Sequence, residues 1–235
     1  MTLKTLITST VGAFALAACG GASDAPATSS DAEPTSAEVA LHPALAEVAA
    51  GTYSLEKNHA FMTVTVGHNG GISQYRISFT EFDGTLDFDP TAPESASLSF
   101  SIDPMSVETN YPGDYKAGHP DTGWENWNED VSRDAKWLNA DEFPEITFET
   151  TAIERTGDLE GTVTGDLTLL GVTKPVSLDV SYGGVANPPW FGERDVIGFT
   201  ASTTVQRSEF GMGAYIPNIS DAVMVEFSGE FLQDE

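Results

Sequence analysis

The sequence predicts an all-β domain, an antiparallel barrel or sandwich, and three observations carry that expectation. From Tyr53 onward, apolar residues recur at every second position in one short run after another. Turn signals containing Gly and Asp separate most of those runs. Past Tyr53, helical spacing appears in a single stretch, residues 126–144. Successive side chains of a strand point to opposite faces, so period two marks a strand with one face covered, whereas a helix would repeat every 3.6 residues.

The elements follow in chain order. Lys4 precedes the apolar stretch LITSTVGAFALAA, which is too short and too rich in small residues to span a bilayer but suits the core of a signal peptide. It ends in Leu16-Ala17-Ala18-Cys19, which resembles a bacterial lipobox. The resemblance implies a lipoprotein signal peptide over 1–18 and a lipidated Cys19 as the first mature residue. Several acyl chains on one residue exceed the two signals that stable anchoring requires, so the mature protein is expected to be tethered and not spanning. Gly20, in place of an inner-membrane-retaining Asp, favours the periplasmic side of the outer membrane. Cys19 is the only cysteine, which excludes an intrachain disulfide or a thiolate metal cluster.

Residues 20–40, GGASDAPATSSDAEPTSAEVA, hold one large apolar residue, Val39. Such a segment buries too little to offset the entropy of ordering it, and a flexible linker is expected over 19–50. Within it, HPALAEVAA has Pro43 early and Gly51 after its end, the punctuation of a short helix. The domain proper is expected over 51–235.

Strands are read in FMTVTVGH, ISQYRISF, SASLSFSI, EITFETTAI, GTVTGDLTLL, KPVSLDVSY, DVIGFTASTTV and AVMVEFSGEF. Asp83-Gly84, Gly70-Gly71, Gly157-Asp158 and Gly183-Gly184 are read as joins. The run GDLTLLGVTKPVSLDV is two half-buried strands about a turn containing Gly171. The one helical stretch has Asn128 as expected N-cap, Glu129 and Asp130 in the first turn, Val131, Ala135 and Leu138 at helical spacing, and Pro144 beyond. Trp124, Trp127 and Trp137 cluster around it, and it is placed at one end of the barrel.

Composition narrows the function. Hydrophobic residues make up 40% of the chain, enough for a core, while 36 Asp and Glu against 10 Lys and Arg give a formal charge of -26. That field repels phosphate backbones and excludes a nucleic-acid partner. No G-x-S-x-G, H-E-x-x-H, P-loop or G-x-G-x-x-G occurs, so no catalytic residues are assigned. His59 and His68 stand nine apart, on opposite faces of a regular strand, and His119-Pro120-Asp121 reads as a polar loop, so no metal site is expected. Glu145, Glu149 and Glu154 read as a solvated outer face.

Four segments in order resemble the YceI-like family. They are YSLEKNHAFMTVTVGHNGGISQYRISFTEFDGTLDFD, DAKWLNADEFPEITFET, GDLTLLGVTKPVSLDV and GFTASTTVQRSEFGMG. Ala60, where a Ser usually follows the first His, and the Trp-rich insertion YPGDYKAGHPDTGWENWNED depart from the pattern. The resemblance implies a lipocalin-like, eight-stranded antiparallel barrel with one short inserted helix near a barrel end, holding an isoprenoid-type amphiphile such as a polyprenyl or quinone-like lipid. A barrel of that size either fills itself with side chains or holds one slender ligand. On this reading Val64, Val66, Ile77, Phe79, Leu98, Phe100, Phe148, Leu167, Leu169, Val176, Leu178, Val180, Phe199 and Phe227 line a ligand tunnel. His59, His68, Arg133, Lys136 and Trp137 stand at its mouth near the head group.

Burial of a methylene is worth roughly 0.8 kcal/mol, so a tail of about thirty to forty carbons represents on the order of 20 to 30 kcal/mol gross. That is at the ceiling of noncovalent affinity, so loading and unloading are expected at membranes and not through water. Partners are then the lipid and, through the anchor, the membrane, with no cofactor. Whether the chain acts alone or as a homodimer is open. Two alternatives stand beside the carrier: a structural lipoprotein with a self-filled barrel, and an enzyme using His59 or His68 at the rim.

Overall fold

The computed structural model describes residues 42–235. The expected signal peptide, Cys19 and most of the linker lie outside the described residues. Ten strands follow: β1 (Gly51–His68), β2 (Ser73–Phe79), β3 (Phe82–Phe88), β4 (Ser97–Ile102), β5 (Val107–Glu108), β6 (Ile146–Arg155), β7 (Glu160–Leu169), β8 (Val172–Ala186), β9 (Val196–Gln206) and β10 (Ile219–Gln233). Two short helices, α1 (Tyr115–Gly118) and α2 (Trp127–Arg133), lie between β5 and β6.

The sheet runs β10-β9-β8-β7-β6-β4-β3-β1-β2-β5, and a further β10–β1 pairing closes it. Eight strands therefore form the closed antiparallel barrel, and β2 and β5 are additions to it. Closure removes the unpaired edges that an open sheet of this length would expose. Long β1 allows both arrangements: its first residues pair β3 (Gly51↔Phe88), its second half pairs β2 (Met62↔Phe79), and β10 runs along its other side.

The β7–β8 hairpin matches its sequence signature. Leu169 pairs Val172 across a two-residue turn in which Leu170 (φ 52°) and Gly171 (φ 72°) are both left-handed, as a tight hairpin on right-twisted strands requires. Asn69, Gly70 and Gly71 turn β1 into β2 with positive φ, and residues 156–159 join β6 to β7.

Two expected joins prove to be strand interior. Asp83-Gly84 lies within β3, because a Cβ on Gly84 would stand 2.8 Å from Cδ2 of Phe100: the glycine makes room for a ring from β4, and the turn is at 80–81. Gly183-Gly184 lies within β8, at an irregularity between Tyr182 and Gly184 in its pairing with β9.

The insert also differs. The cap of α2 is Asn126, whose side chain accepts from Glu129 N at 2.9 Å, not Asn128, which instead accepts from the Thr109 N–H and hydroxyl. The helix stops at Arg133 because Asp134 leaves helical geometry and its carboxylate takes the Lys136 N–H at 3.0 Å. Ala135 and Leu138 therefore fall in the following turns, though Val131 and Leu138 both reach the core as their apolar character requires. Residues 42–48 form turns and not a helix, and they are not a loose linker: Leu45 and Val48 are buried in the same core.

Each barrel end has its own covering. The β6–β7 turn shares one end with residues 42–50, the β3–β4 connection and the β8–β9 loop, while the β7–β8 turn shares the other with the insert 103–145 and the β9–β10 loop. At the first end Ala49 N donates to Asp195 Oδ2 (2.6 Å), the Tyr53 hydroxyl donates to the Ala49 carbonyl (2.6 Å), and that of Tyr182 donates to the Ala44 carbonyl (3.4 Å). Burial and the nearby Asp195 carboxylate push the Tyr182 hydroxyl up to about 12, so it stays a neutral donor at physiological pH.

Candidate functional site

The barrel encloses a cavity of about 250 Å³. Small-molecule pockets run roughly 300–1,000 Å³, so the space is of ligand-binding order at its lower edge. Its wall is formed mainly by inward residues of β3, β4 and β6–β10, with Leu45 from the N-terminal turn. Of the fourteen residues read as tunnel lining, Leu98, Phe100, Phe148, Leu167, Val176, Leu178, Val180, Phe199 and Phe227 lie on it. Val64, Val66, Ile77, Phe79 and Leu169 do not. Those five sit on β2, the second half of β1 and the last residue of β7, toward the insert end. Phe79 is buried opposite Met62 and Val107, and Val64, Ile77 and Leu169 pack against the core.

The interior is unevenly filled. Phe82 stacks on Phe100 (centroids 5.8 Å apart), Phe100 meets Phe227 edge-on (5.6 Å), and Phe199 meets Tyr182, Phe88 and Phe231 at 5.5, 6.2 and 6.1 Å. These contacts load β3, β4, β9 and β10 with aromatic volume, and Tyr182 of β8 joins them. Aliphatic side chains of β7 and β8 face the remaining space. The far end of the Phe148 ring lies over Gly165 of the neighbouring strand, where a Cβ would fall on its ring and 2.6 Å from the Glu149 carbonyl oxygen. The glycine thus holds that ring against the wall and out of the lumen.

The five residues read as mouth contacts are not on the cavity wall. Lys136 Nζ is held by Asp130 (2.6 Å) and Asp134 (2.8 Å), and Trp137 Nε1 donates to the same Asp130 (3.1 Å). Tyr115 also donates to Asp130, making that carboxylate the buried node of the insert. Partial burial alone would raise Asp134, but hydrogen bonds from Lys136 and Trp124 outweigh it and hold its carboxyl at about 2. Arg133 pairs with Asp141 at 2.5 Å. His59 pairs with Glu56 on the outer surface, and His68 ends β1, exposed. The insert's cations fasten the insert to itself, which is why a basic exception in an acidic chain is no sign of a lipid head here.

The polar part of the wall is elsewhere. Arg155, Asp158 and Glu160, around the β6–β7 turn, line the cavity, and the latter two are exposed, so the cavity meets solvent at that end. Arg155 faces inward because of a β-bulge. Thr150 pairs Gly165 and Ala152 pairs Thr164, leaving Thr151 as an extra residue. The bulge moves the inward set from Ile146, Phe148 and Thr150 to Ile153 and Arg155, and leaves Glu149 and Glu154 both outside. A parity break in the sequence marks it: Phe148 and Ile153 are five apart, and a regular strand cannot point both inward.

A closed antiparallel barrel of eight strands around an apolar cavity open at one end defines the lipocalin-like class of small barrels. The particular family follows from comparison with known proteins. The model of the YceI-like domain matches residues 53–231, and the chain belongs to that family. It is 33% identical over 188 residues to a UPF0312 protein of Pseudomonas putida (strain W619), covering 76% of this chain and 86% of that one. It is 32% identical over 188 residues to Protein YceI of Salmonella arizonae, covering 79% and 89%. Among solved structures, Burkholderia cenocepacia BcnA superposes with a TM-score of 0.61 at 20% identity, covering 77% of this chain and 99% of that one. A Campylobacter jejuni YCEI protein superposes with a TM-score of 0.57 at 26% identity, covering 70% and 88%.

Proposed function

We propose that this protein is a lipid-anchored, periplasm-facing binding protein that sequesters or carries an isoprenoid-type amphiphile, a polyprenyl or quinone-like lipid, in its barrel without catalysing a reaction. The observation that carries the reading is the apolar cavity, which belongs to a YceI-like barrel and opens beside a small polar cluster. An empty apolar space forfeits the packing contacts its lining would otherwise make, so a ligand that supplies them stabilises the folded state. Phe100, Phe227, Leu167 and Leu178 all line this space, and its volume suits a slender chain. Seating a long polyprenyl tail in about 250 Å³ requires aromatic side chains to swing aside or the head-proximal part to remain near the mouth.

The anchor half of the proposal rests on Leu16-Ala17-Ala18-Cys19, which lies outside the described residues. With Cys19 acylated and the intervening segment as tether, the barrel stays near a membrane from which to load. Mass spectrometry of organic extracts of the natively purified protein tests the carrier reading. An isoprenoid-type lipid is expected, whereas an extract free of lipid, with hydrophobic dyes excluded from the barrel, favours the self-filled barrel instead. Incorporation of labelled fatty acid that is lost in Cys19→Ala tests the anchor.

A further inference from the structure

Arg155 is the one cation among the described residues that line the cavity. Its side chain is only 18% exposed, yet it is weakly engaged: Nε stands 4.0 Å from Glu94 Oε1, and Nη2 reaches the Asp158 carbonyl at 3.5 Å. Arg207 shows how this chain satisfies a buried guanidinium that serves structure alone. Arg207 donates to the carbonyls of Ser220 (2.8 Å), Met212 (2.7 Å), Ala214 (2.7 Å) and Ile219 (3.1 Å). A guanidinium has five N–H donors, and at Arg155 two long contacts leave most of that capacity unused beside an apolar space.

We propose that Arg155 is the head-group contact of the carried lipid and that it selects an uncharged oxygen acceptor, such as a ring or ester carbonyl, over a phosphate. The inference rests on the carrier reading above and adds the class of head group. Charge decides between the two. Glu94 lies next to Arg155, and Asp158 and Glu160 line the same mouth, so three acidic residues share it with one cation. A phosphate monoester would bring a further charge of about -1.5 to -2 into that cluster, with one guanidinium to compensate. A carbonyl accepts the same N–H donors and adds no charge. The Thr151 bulge is the device that supplies the donor: without it, Glu154 would face the lumen.

The test uses the full mature protein and neutral phosphatidylcholine vesicles doped with one of three probes of equal tail length: a polyprenyl benzoquinone, the polyprenyl monophosphate, and the polyprene without a head. Probe bound to protein after flotation is quantified by mass spectrometry. The benzoquinone is expected to be taken up about tenfold better than the polyprene, as one charge-assisted hydrogen bond provides, and better than the monophosphate. Arg155→Met should lower benzoquinone uptake to the level of the polyprene. Combined Glu94→Gln, Asp158→Asn and Glu160→Gln should raise monophosphate uptake. Monophosphate uptake equal to or above that of the benzoquinone in the wild type, or benzoquinone uptake unchanged in Arg155→Met, overturns the inference and leaves the carrier reading standing. Uptake of none of the three probes overturns the carrier reading and this inference with it. Should Arg155→Met fail to fold, the wild-type ranking and Arg155→Lys, which keeps the charge but not the fork, carry the same decision.

Discussion

In β3 the inward residues Phe82, Leu86 and Phe88 are each 8% exposed and alternate with exposed Asp83, Thr85 and Asp87. In β8, Val176, Leu178, Val180 and Tyr182 also alternate with exposed neighbours, yet no residue of its fifteen is fully buried. Both strands face the interior, and the difference is what lies opposite. In β3, Phe82 meets the rings of Phe100 and Phe227 and only Leu86 and Phe88 border the cavity, whereas all four of the β8 residues border it. β3 is therefore the more closely packed of the two, and β8 leaves more apolar surface available to a ligand. Five substitutions, four of them made singly, test that difference.

The largest effect is expected on the packed wall. Phe82→Ala removes a buried ring with two aromatic neighbours and should cost about 3–5 kcal/mol in denaturant unfolding. Next comes Gly165→Ala, whose methyl would collide with the Phe148 ring and drive it into the lumen. Overpacking of this kind costs about 1–3 kcal/mol, and lipid retention should fall with it. Gly165→Ala combined with Phe148→Leu should recover part of both losses. Leu178→Ala on the open wall should cost only about 1–2 kcal/mol, because the side chain is partly exposed before it is cut. A loss there as large as that of Phe82→Ala would show that the two walls are packed alike.

The smallest effect lies in the insert and separates it from the binding wall. The Asp134 carboxyl is held at about 2, below the ordinary value of 3.8. Its ionised form therefore stabilises the fold above pH about 4, and that contribution is lost as pH falls through about 2. Asp134→Asn should flatten the acid limb of the stability profile over that window while leaving lipid retention at neutral pH unchanged.

The same pair of strands shows what the sequence can carry. Alternation specifies which face of each strand is covered, and the all-β class and the hairpin about Gly171 could be read from it; the eight-stranded barrel, and the tunnel reading of the fourteen residues of which nine border the cavity, came with the family resemblance. Alternation says nothing of how far away the opposite wall is, so β3 and β8 look alike as text. Glycine was ambiguous for a related reason: Gly84 and Gly165 make room for rings on neighbouring strands, and such a partner is invisible along the chain. Charge does not place the mouth: Arg133 and Lys136 stand out as cations, but their acidic partners, Asp141, Asp130 and Asp134, lie close in sequence and absorb them. Arg155 was legible only through the parity break between Phe148 and Ile153, a signal that one extra residue, Thr151, leaves behind.

Under the proposed function, the space beside β7 and β8 is a binding site and not a packing defect. Non-denaturing mass spectrometry of the intact protein, purified gently from its native membranes, tests it most directly. One additional lipid mass per barrel is expected in the wild type, diminished in Gly165→Ala. A single ligand-free mass that stays unchanged after incubation with polyprenyl benzoquinone vesicles would contradict it.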